Sequence, residues 1–275
     1  MMTISVAKIL IGIQCKNGNF FDRIYNHYLS FHKSGKVNFK FHLFPDPNMP
    51  EIQTPLVLKK HDEDSYLLQG AMTGVISLKE GRAEVTLPPD PIAFDGLLRL
   101  ILGALLLRKG GMLLHASGIV RKGYAWVFFG PSESGKTTIT KLCPSDPILS
   151  DEIVAIRKNA KGQYLAYSTP FSGKWKSGKH LPPALLAALF SPVKSTYLSL
   201  EKIAPSDVVK LILPQVILPS EIQDLPQRAL DNIVDIVDKI QCFSLNFKLG
   251  YPIGELIDKL AHSRVSRSKS RLAGN

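Results

Sequence analysis

Cysteine is scarce in this chain. Its 275 residues include three, Cys15, Cys143 and Cys242, widely separated and odd in number. No CxxC spacing or Cys/His cluster accompanies them, which excludes a disulfide framework and a thiolate zinc site and fits reduced thiols. Acidic side chains are also in deficit: 23 Asp and Glu stand against 34 Lys and Arg, for a net charge of +11. That excess favours anionic partners such as nucleotides, phosphoproteins, acidic peptides, nucleic acid or anionic lipid, and does not choose among them. Long hydrophobic runs are missing too. The greasiest stretch, Leu97 to Leu107, is shorter than a bilayer span and is interrupted by Arg99. Residues Met1 to Ile13 carry no basic n-region and no small-residue cleavage site, so they do not read as a signal peptide and a soluble, cytoplasmic protein is expected. There are no internal repeats. What is present is an ordinary globular balance, 45% hydrophobic and 21% charged, which excludes extensive disorder and collagen-like or coiled-coil classes. The length suits one large domain or two small ones.

Hydrophobic patterning divides the chain into three parts: a β-rich region over residues 1–90, a core over 91–260 and a basic tail over 261–275 carrying Arg264, Arg267, Lys269 and Arg271 among serines. In the first part, Val37 to Phe44 alternates apolar and polar with the period of a half-buried strand and is stopped by Pro45, Pro47 and Pro50. Leu56-Val57-Leu58 reads as a short strand. Tyr66 to Leu78 and Ala83 to Leu87 flank Lys79-Glu80-Gly81-Arg82 as a hairpin would. After Pro88-Pro89-Asp90-Pro91, the segment Phe94 to Leu107 predicts a buried helix, apolar nearly all round. Met112 to Val120 and Tyr124 to Phe129 predict a hairpin in a mixed sheet. Ile148 to Ile156 reads as one strand with Gln163 to Tyr167 as its partner. Further on, Pro182 to Phe190 predicts a helix and Thr196 to Leu200 a strand. Another helix starts at Pro205-Ser206-Asp207, with Ser206 or Asp207 as its cap. Arg228 to Lys239 predicts a helix, and Cys242 to Leu249 a strand.

One motif carries chemistry. Gly130-Pro131-Ser132-Glu133-Ser134-Gly135-Lys136-Thr137 fits G-x-x-x-x-G-K-[ST], the phosphate-binding loop of nucleotide-binding proteins. It follows the apolar strand ending Trp126-Val127-Phe128-Phe129 and precedes the helix-compatible Thr137-Thr138-Ile139-Thr140-Lys141-Leu142, which is the setting this motif needs. Gly130 and Gly135 permit a loop whose backbone N–H groups converge on phosphate oxygens, and the helix N-terminus adds partial positive charge. The cofactors expected are therefore ATP and Mg²⁺, with Lys136 on the β- and γ-phosphates and Thr137 as a metal ligand. Asp151 lies fifteen residues after Lys136, in Ser150-Asp151-Glu152 behind the apolar Ile148-Leu149. Paired carboxylates at a strand end can divide the work, one on the metal and one activating a nucleophile. His115, in Leu113-Leu114-His115-Ala116-Ser117-Gly118, reads equally as a core histidine or as a site residue.

Together, His115-Ala116-Ser117-Gly118, the loop from Gly130 to Thr138 and Leu149-Ser150-Asp151-Glu152 resemble the HPr kinase/phosphorylase-like kinases. The resemblance spans residues 97–250. It implies an α/β fold with an HPr kinase/phosphoenolpyruvate carboxykinase-like P-loop core on a mixed sheet. By that resemblance Asp151 matches the acid that deprotonates a seryl hydroxyl, and Glu152 matches the metal-side carboxylate. His115 matches a residue near the transferred phosphate. The chain lacks the downstream Glu-Ile-Arg-Gly-Leu-Gly signature of the HPr enzymes, which points away from HPr as the substrate. Its layout is more similar to the smaller kinases found beside peptide-biosynthesis genes, including those that modify a serine of lasso-peptide precursors.

The expectation is a serine kinase acting on a peptide or small protein, with no nucleic acid or membrane partner and with self-association into a homo-oligomer. The alternative is a P-loop ATPase or nucleotide switch in which Glu152 activates water. A nucleotide-binding scaffold without turnover is the third reading, and the intact motif argues against it. The loop Thr169 to His180 reads as a solvated basic segment, with Lys174, Lys176 and Lys179 as alternative anchors for substrate charge. Basic residues without an aromatic platform argue against a nucleic-acid module.

Overall fold

The computed structural model describes residues 1–49, 56–171, 173, 179–248, 250 and 253–260. The fold is mixed α/β, with two mixed sheets. In the first sheet, β1 (Met2–Val6) and β2 (Ile9–Cys15) form a hairpin, followed by α1 (Gly18–Tyr28), β3 (Phe39–Pro45), β4 (Val57–Lys60), β5 (Ser65–Gln69), β6 (Thr73–Ser77) and β7 (Arg82–Leu87). Their order across the sheet is β1-β2-β3-β7-β6-β5-β4. The β2–β3 and β3–β7 pairings are parallel and the others antiparallel.

Helix α2 (Pro91–Leu107) leaves this sheet, capped by the Asp90 side chain on the Ile92 N–H with Pro91 in its first turn. The second sheet contains β8 (Gly111–Arg121), β9 (Tyr124–Phe129), β10 (Ile148–Ser150), β11 (Ile153–Lys158), β12 (Tyr164–Tyr167), β13 (Ala184–Lys194), β14 (Ser199–Lys202) and β15 (Gln241–Phe247). Helices α3 (Lys136–Lys141), α4 (Pro205–Ile212) and α5 (Leu225–Lys239) lie between them in the chain. Residues 253–260 form a last helix, α6. Strand β8 pairs with β9 and β11, β11 with β12, β12 with β13 and β13 with β9, so these five strands close into a ring.

Strands β9, β13 and β15 run parallel. Phe128, Phe190 and Phe243 stand in register across them, with ring centroids 5.3 Å and 5.8 Å apart. Such pairs add about 1 kcal/mol each beyond their burial. Ile139 of α3 and Ile253 and Ile257 of α6 belong to the same apolar cluster. A larger cluster runs without a break from the first sheet through α1 and α2 into β8, β11 and α5.

Several expectations need correction. The segment Pro182 to Phe190 is not a helix; Ala184–Lys194 is strand β13. Its Ala- and Leu-rich run has helical propensity. Both of its edges are claimed by neighbours, however, and apolar residues on both faces suit a strand buried on both sides. Helix α4 is capped at Ala204 without a side-chain hydrogen bond, Pro205 starts it, and Asp207 contributes only charge to its first turn. Tyr66 to Leu78 is two strands rather than one, turned at Gly70 (φ +116°). Ile148 to Ile156 is also two, broken at the acidic pair. Strand β14 starts three residues later than expected. The first region also contains α1, whose Phe20, Ile24 and Tyr28 recur every four residues and are buried, with Asn17 accepting from the Phe20 N–H at 3.0 Å. The basic tail lies outside the described residues.

Gly103 allows α2 to approach the segment between α4 and α5 closely: a Cβ there would stand 2.7 Å from the Ile217 carbonyl oxygen. Gly103→Ala gains about 1 kcal/mol of helix propensity against an overpacking cost of about 1–3 kcal/mol. Backbone cannot swing aside as a flexible side chain can, so the overpacking wins. The expected outcome is a lower Tm by calorimetry; an unchanged or raised Tm would show that α2 can shift freely.

Candidate functional site

The loop Gly130 to Gly135 joins the C-terminal end of β9 to α3. It needs left-handed backbone at Gly130 (φ +144°), Glu133 (φ +63°) and Gly135 (φ +102°). At Gly135 the requirement is double, because a Cβ would also meet the Phe247 ring at 2.5 Å. Pro131, Ser132 and Glu133 are exposed, whereas Gly130 and Gly135 are buried. The Ser134 Oγ is buried without a hydrogen-bond partner among the described residues.

Lys136 opens α3 and is 6% exposed. Its Nζ donates back to the carbonyls of Gly130 at 2.8 Å and Pro131 at 2.7 Å, so the ammonium lies across its own loop. Burial pulls its pKa below the ordinary lysine value. The buried Ser117 of β8 donates its hydroxyl to the Lys136 carbonyl at 2.9 Å, pinning the start of α3 to the sheet. Thr137 and Thr138 complete the first turn, half-buried. Thr138 also lines a cavity of about 500 Å³ with Lys194, Ser195, Phe247 and Lys248. That cavity opens at the C-terminal ends of β13 and β15, beside the loop, where ligands of parallel sheets bind.

Asp151 and Glu152 occupy the break between β10 and β11. The register shifts between Ile148 and Ser150 and is then kept across the break, Ser150 opposite Gly118 and Ile153 opposite His115, so the pair stands opposite Ser117 and Ala116. Ser150 Oγ accepts from the N–H groups of Glu152 and Ile153 and holds the bend. Asp151 is 5% exposed, and its Oδ1 accepts from the Gly173 N–H at 3.0 Å. Glu152 receives Arg99 Nη1 at 2.8 Å. The Arg99 guanidinium also covers the buried Phe171 ring at 5.0 Å.

His115 sits half-buried on β8, within electrostatic reach of Lys136, Glu152 and Arg99. Burial lowers its pKa first; the Lys136 and Arg99 cations lower it further, against an opposing pull from Glu152. Lys136, Glu152 and Arg99 thus each act on His115, and Asp151 adjoins Glu152 in the chain. Arg99 was missed as a site residue in the sequence. Its signal was a single basic residue inside an otherwise apolar run. Lys174 and Lys176 lie outside the described residues, and Lys179 is exposed.

The donor set fits a nucleotide with Mg²⁺. An unpartnered Ser134 hydroxyl and a lysine folded over its loop are groups that phosphate oxygens can satisfy. No cluster of three or more His, Cys, Asp or Glu suited to a metal occurs among the described residues. Mg²⁺ is ordinarily held by one or two protein oxygens together with substrate phosphates, which Thr137 and Glu152 could supply. No helix among the described residues is long and apolar enough to cross a membrane.

His115 is expected to titrate below 6.5 by NMR. Its depressed value means that protonation opposes folding: stability is full above the unfolded value and falls as pH drops below about 6.5. Lys136→Ala should raise the His115 midpoint without fully restoring it, because burial remains. A midpoint at or above 6.5 in the unaltered chain would contradict this electrostatic arrangement.

No family model matches the chain, and no curated protein matches it in sequence. Among solved structures, the HPr(Ser) kinase/phosphatase from Coxiella burnetii aligns with 58% of this chain and 94% of its own, at 10% identity and a TM-score of 0.33.

Proposed function

We propose that the protein is an ATP- and Mg²⁺-dependent kinase that transfers the γ-phosphoryl group to a serine hydroxyl of a peptide or small protein. The resemblance in sequence extends the proposal to the serine of a ribosomally made, lasso-type precursor. The observation that carries the kinase reading is the Lys136 ammonium, buried across the Gly130–Gly135 loop at the end of β9, with its charge reaching His115, which Glu152 influences in turn.

On this reading the loop N–H groups, the Ser134 hydroxyl and Lys136 hold the β- and γ-phosphates. Thr137 and Glu152 hold Mg²⁺, which when bound neutralises phosphate charge. Asp151, kept in place by the Gly173 N–H, accepts the seryl proton as the serine oxygen bonds to the γ-phosphorus. The bond from that phosphorus to the bridging oxygen breaks, and ADP leaves with the electron pair. Lys136 stays on the phosphates, where charge develops in the transition state. His115, neutral at pH 7 by its lowered pKa, adds no repulsive charge to Lys136. The cavity lined by Thr138, Lys194, Ser195, Phe247 and Lys248 offers the rest of the nucleotide two exposed cations, Lys194 and Lys248. The excess of basic residues suits an acidic peptide.

The ATPase alternative requires Glu152 free to activate water. Its ion pair with Arg99 would have to be shared or released for that role, as it would for metal binding.

Incubation with γ-labelled ATP, Mg²⁺ and serine peptides is expected to label serine. Asp151→Asn should lower transfer by about 10²–10⁴-fold while nucleotide binding is retained, and Lys136→Ala should abolish it. Label appearing only in free phosphate, and lost in Glu152→Gln, would overturn the kinase reading in favour of hydrolysis.

A further inference from the structure

Within α2 the only charged residues are Asp95 and Arg99, in a helix whose other side chains are apolar. Four residues apart, they share one face. Asp95 is 8% exposed and is used on the α1 side: it accepts from the buried Tyr28 hydroxyl and pairs with His27 Nε2 at 3.2 Å. Those contacts anchor α2 to the first sheet's helix. Arg99, one turn on, reaches the second sheet and meets Glu152 at 2.8 Å, with both side chains mostly buried. Its Nε is buried without a hydrogen-bond partner among the described residues.

Burying an ion pair costs desolvation that its attraction barely repays, so stability alone is a weak reason for this one. Its position supplies another reason. Glu152 follows Asp151 at the bend, and the charge on His115 is influenced by Arg99, Glu152 and Lys136 alike. The unused Nε donor means that the present partners do not saturate the guanidinium, and the Glu152 carboxylate keeps lone pairs beyond the one Arg99 occupies.

We propose that Arg99 is a positioning residue of the transfer site: its ion pair turns the Glu152 carboxylate toward α2 and competes with the divalent cation for it. The inference rests on the kinase reading and goes beyond it by making metal loading depend on a residue outside the P-loop and the acidic pair. Helix α2, held on one side by Tyr28 and His27, sets where the carboxylate stands. Arg99 acts through Glu152 and needs no contact with the phosphates.

The test uses the full chain with a non-hydrolysable ATP analogue and Mn²⁺, whose binding is read by electron paramagnetic resonance. Arg99→Met is expected to bind Mn²⁺ roughly three- to ten-fold more tightly, the size of a coupling between contacting charged groups. It should also lose roughly ten-fold or more in kcat for serine transfer, with the peptide KM nearly unchanged, because the carboxylate is then misplaced. Arg99→Lys, which keeps the charge, should return both values toward those of the unaltered chain. In a Glu152→Gln background, Arg99→Met should leave Mn²⁺ affinity where Glu152→Gln alone puts it. Should Arg99→Met melt early, Arg99→Gln is read by the same criteria. Unchanged Mn²⁺ affinity in the Arg99 variants, or an equal tightening without Glu152, would overturn this inference alone. A chain that takes up no Mn²⁺ with nucleotide at all would overturn the kinase reading as well.

Discussion

The parallel pairing of β13 with both β9 and β15 is the constraint on which the rest of the structure depends. It brings three strand ends to one edge of the second sheet. The loop after β9 carries the phosphate-binding motif, β13 ends at Lys194 and β15 ends at Phe247. The Phe128–Phe190–Phe243 row locks the three strands in register. Phe247 then packs against Gly135, where no larger residue fits. The short α3 has little stability of its own, being six residues long. Its position comes from Ile139 in the aromatic cluster and from Ser117 on its first carbonyl.

Charge is distributed around this edge in opposed pairs. Lys136 rests on two carbonyls, and Glu152 rests on Arg99. Each is a desolvated charge held by a partner of the kind a phosphate or a divalent cation can replace. The same logic operates one turn earlier on the same face of α2, where Asp95 serves Tyr28 and His27. The first sheet therefore has a structural route to the site: it fixes α2, and α2 carries Arg99. The two sheets share one apolar cluster, so α2 serves as part of a common core as well as a link.

Much of the site is legible in the residues themselves. The loop, its preceding strand and the following helix turn are local features, set by glycine at positive φ and by short-range patterning. Strand β8, strand β9 and helix α2 follow from periodicity and from the Arg121-Lys122-Gly123 turn. The acidic pair was visible in sequence, yet the break that displays it was not, because Ser150 creates that bend by bonding to two backbone N–H groups. Helix α1 carries its own local signal, a four-residue apolar repeat behind an Asn cap.

Sequence by itself determined the glycine-rich G-x-x-x-x-G-K-T loop motif, the scarcity of cysteine ligands and the excess of positive charge, because these depend on residue identity and short spacings. Tertiary structure decided that Ala184–Lys194 is a strand, since hydrogen bonds from distant partners outweigh local helical preference. It also decided that Arg99 faces Glu152 across 53 positions of chain. A contact of that separation has no periodicity to announce it. It exists because α2 packs against both sheets, and a partly desolvated guanidinium gains by pairing with a carboxylate.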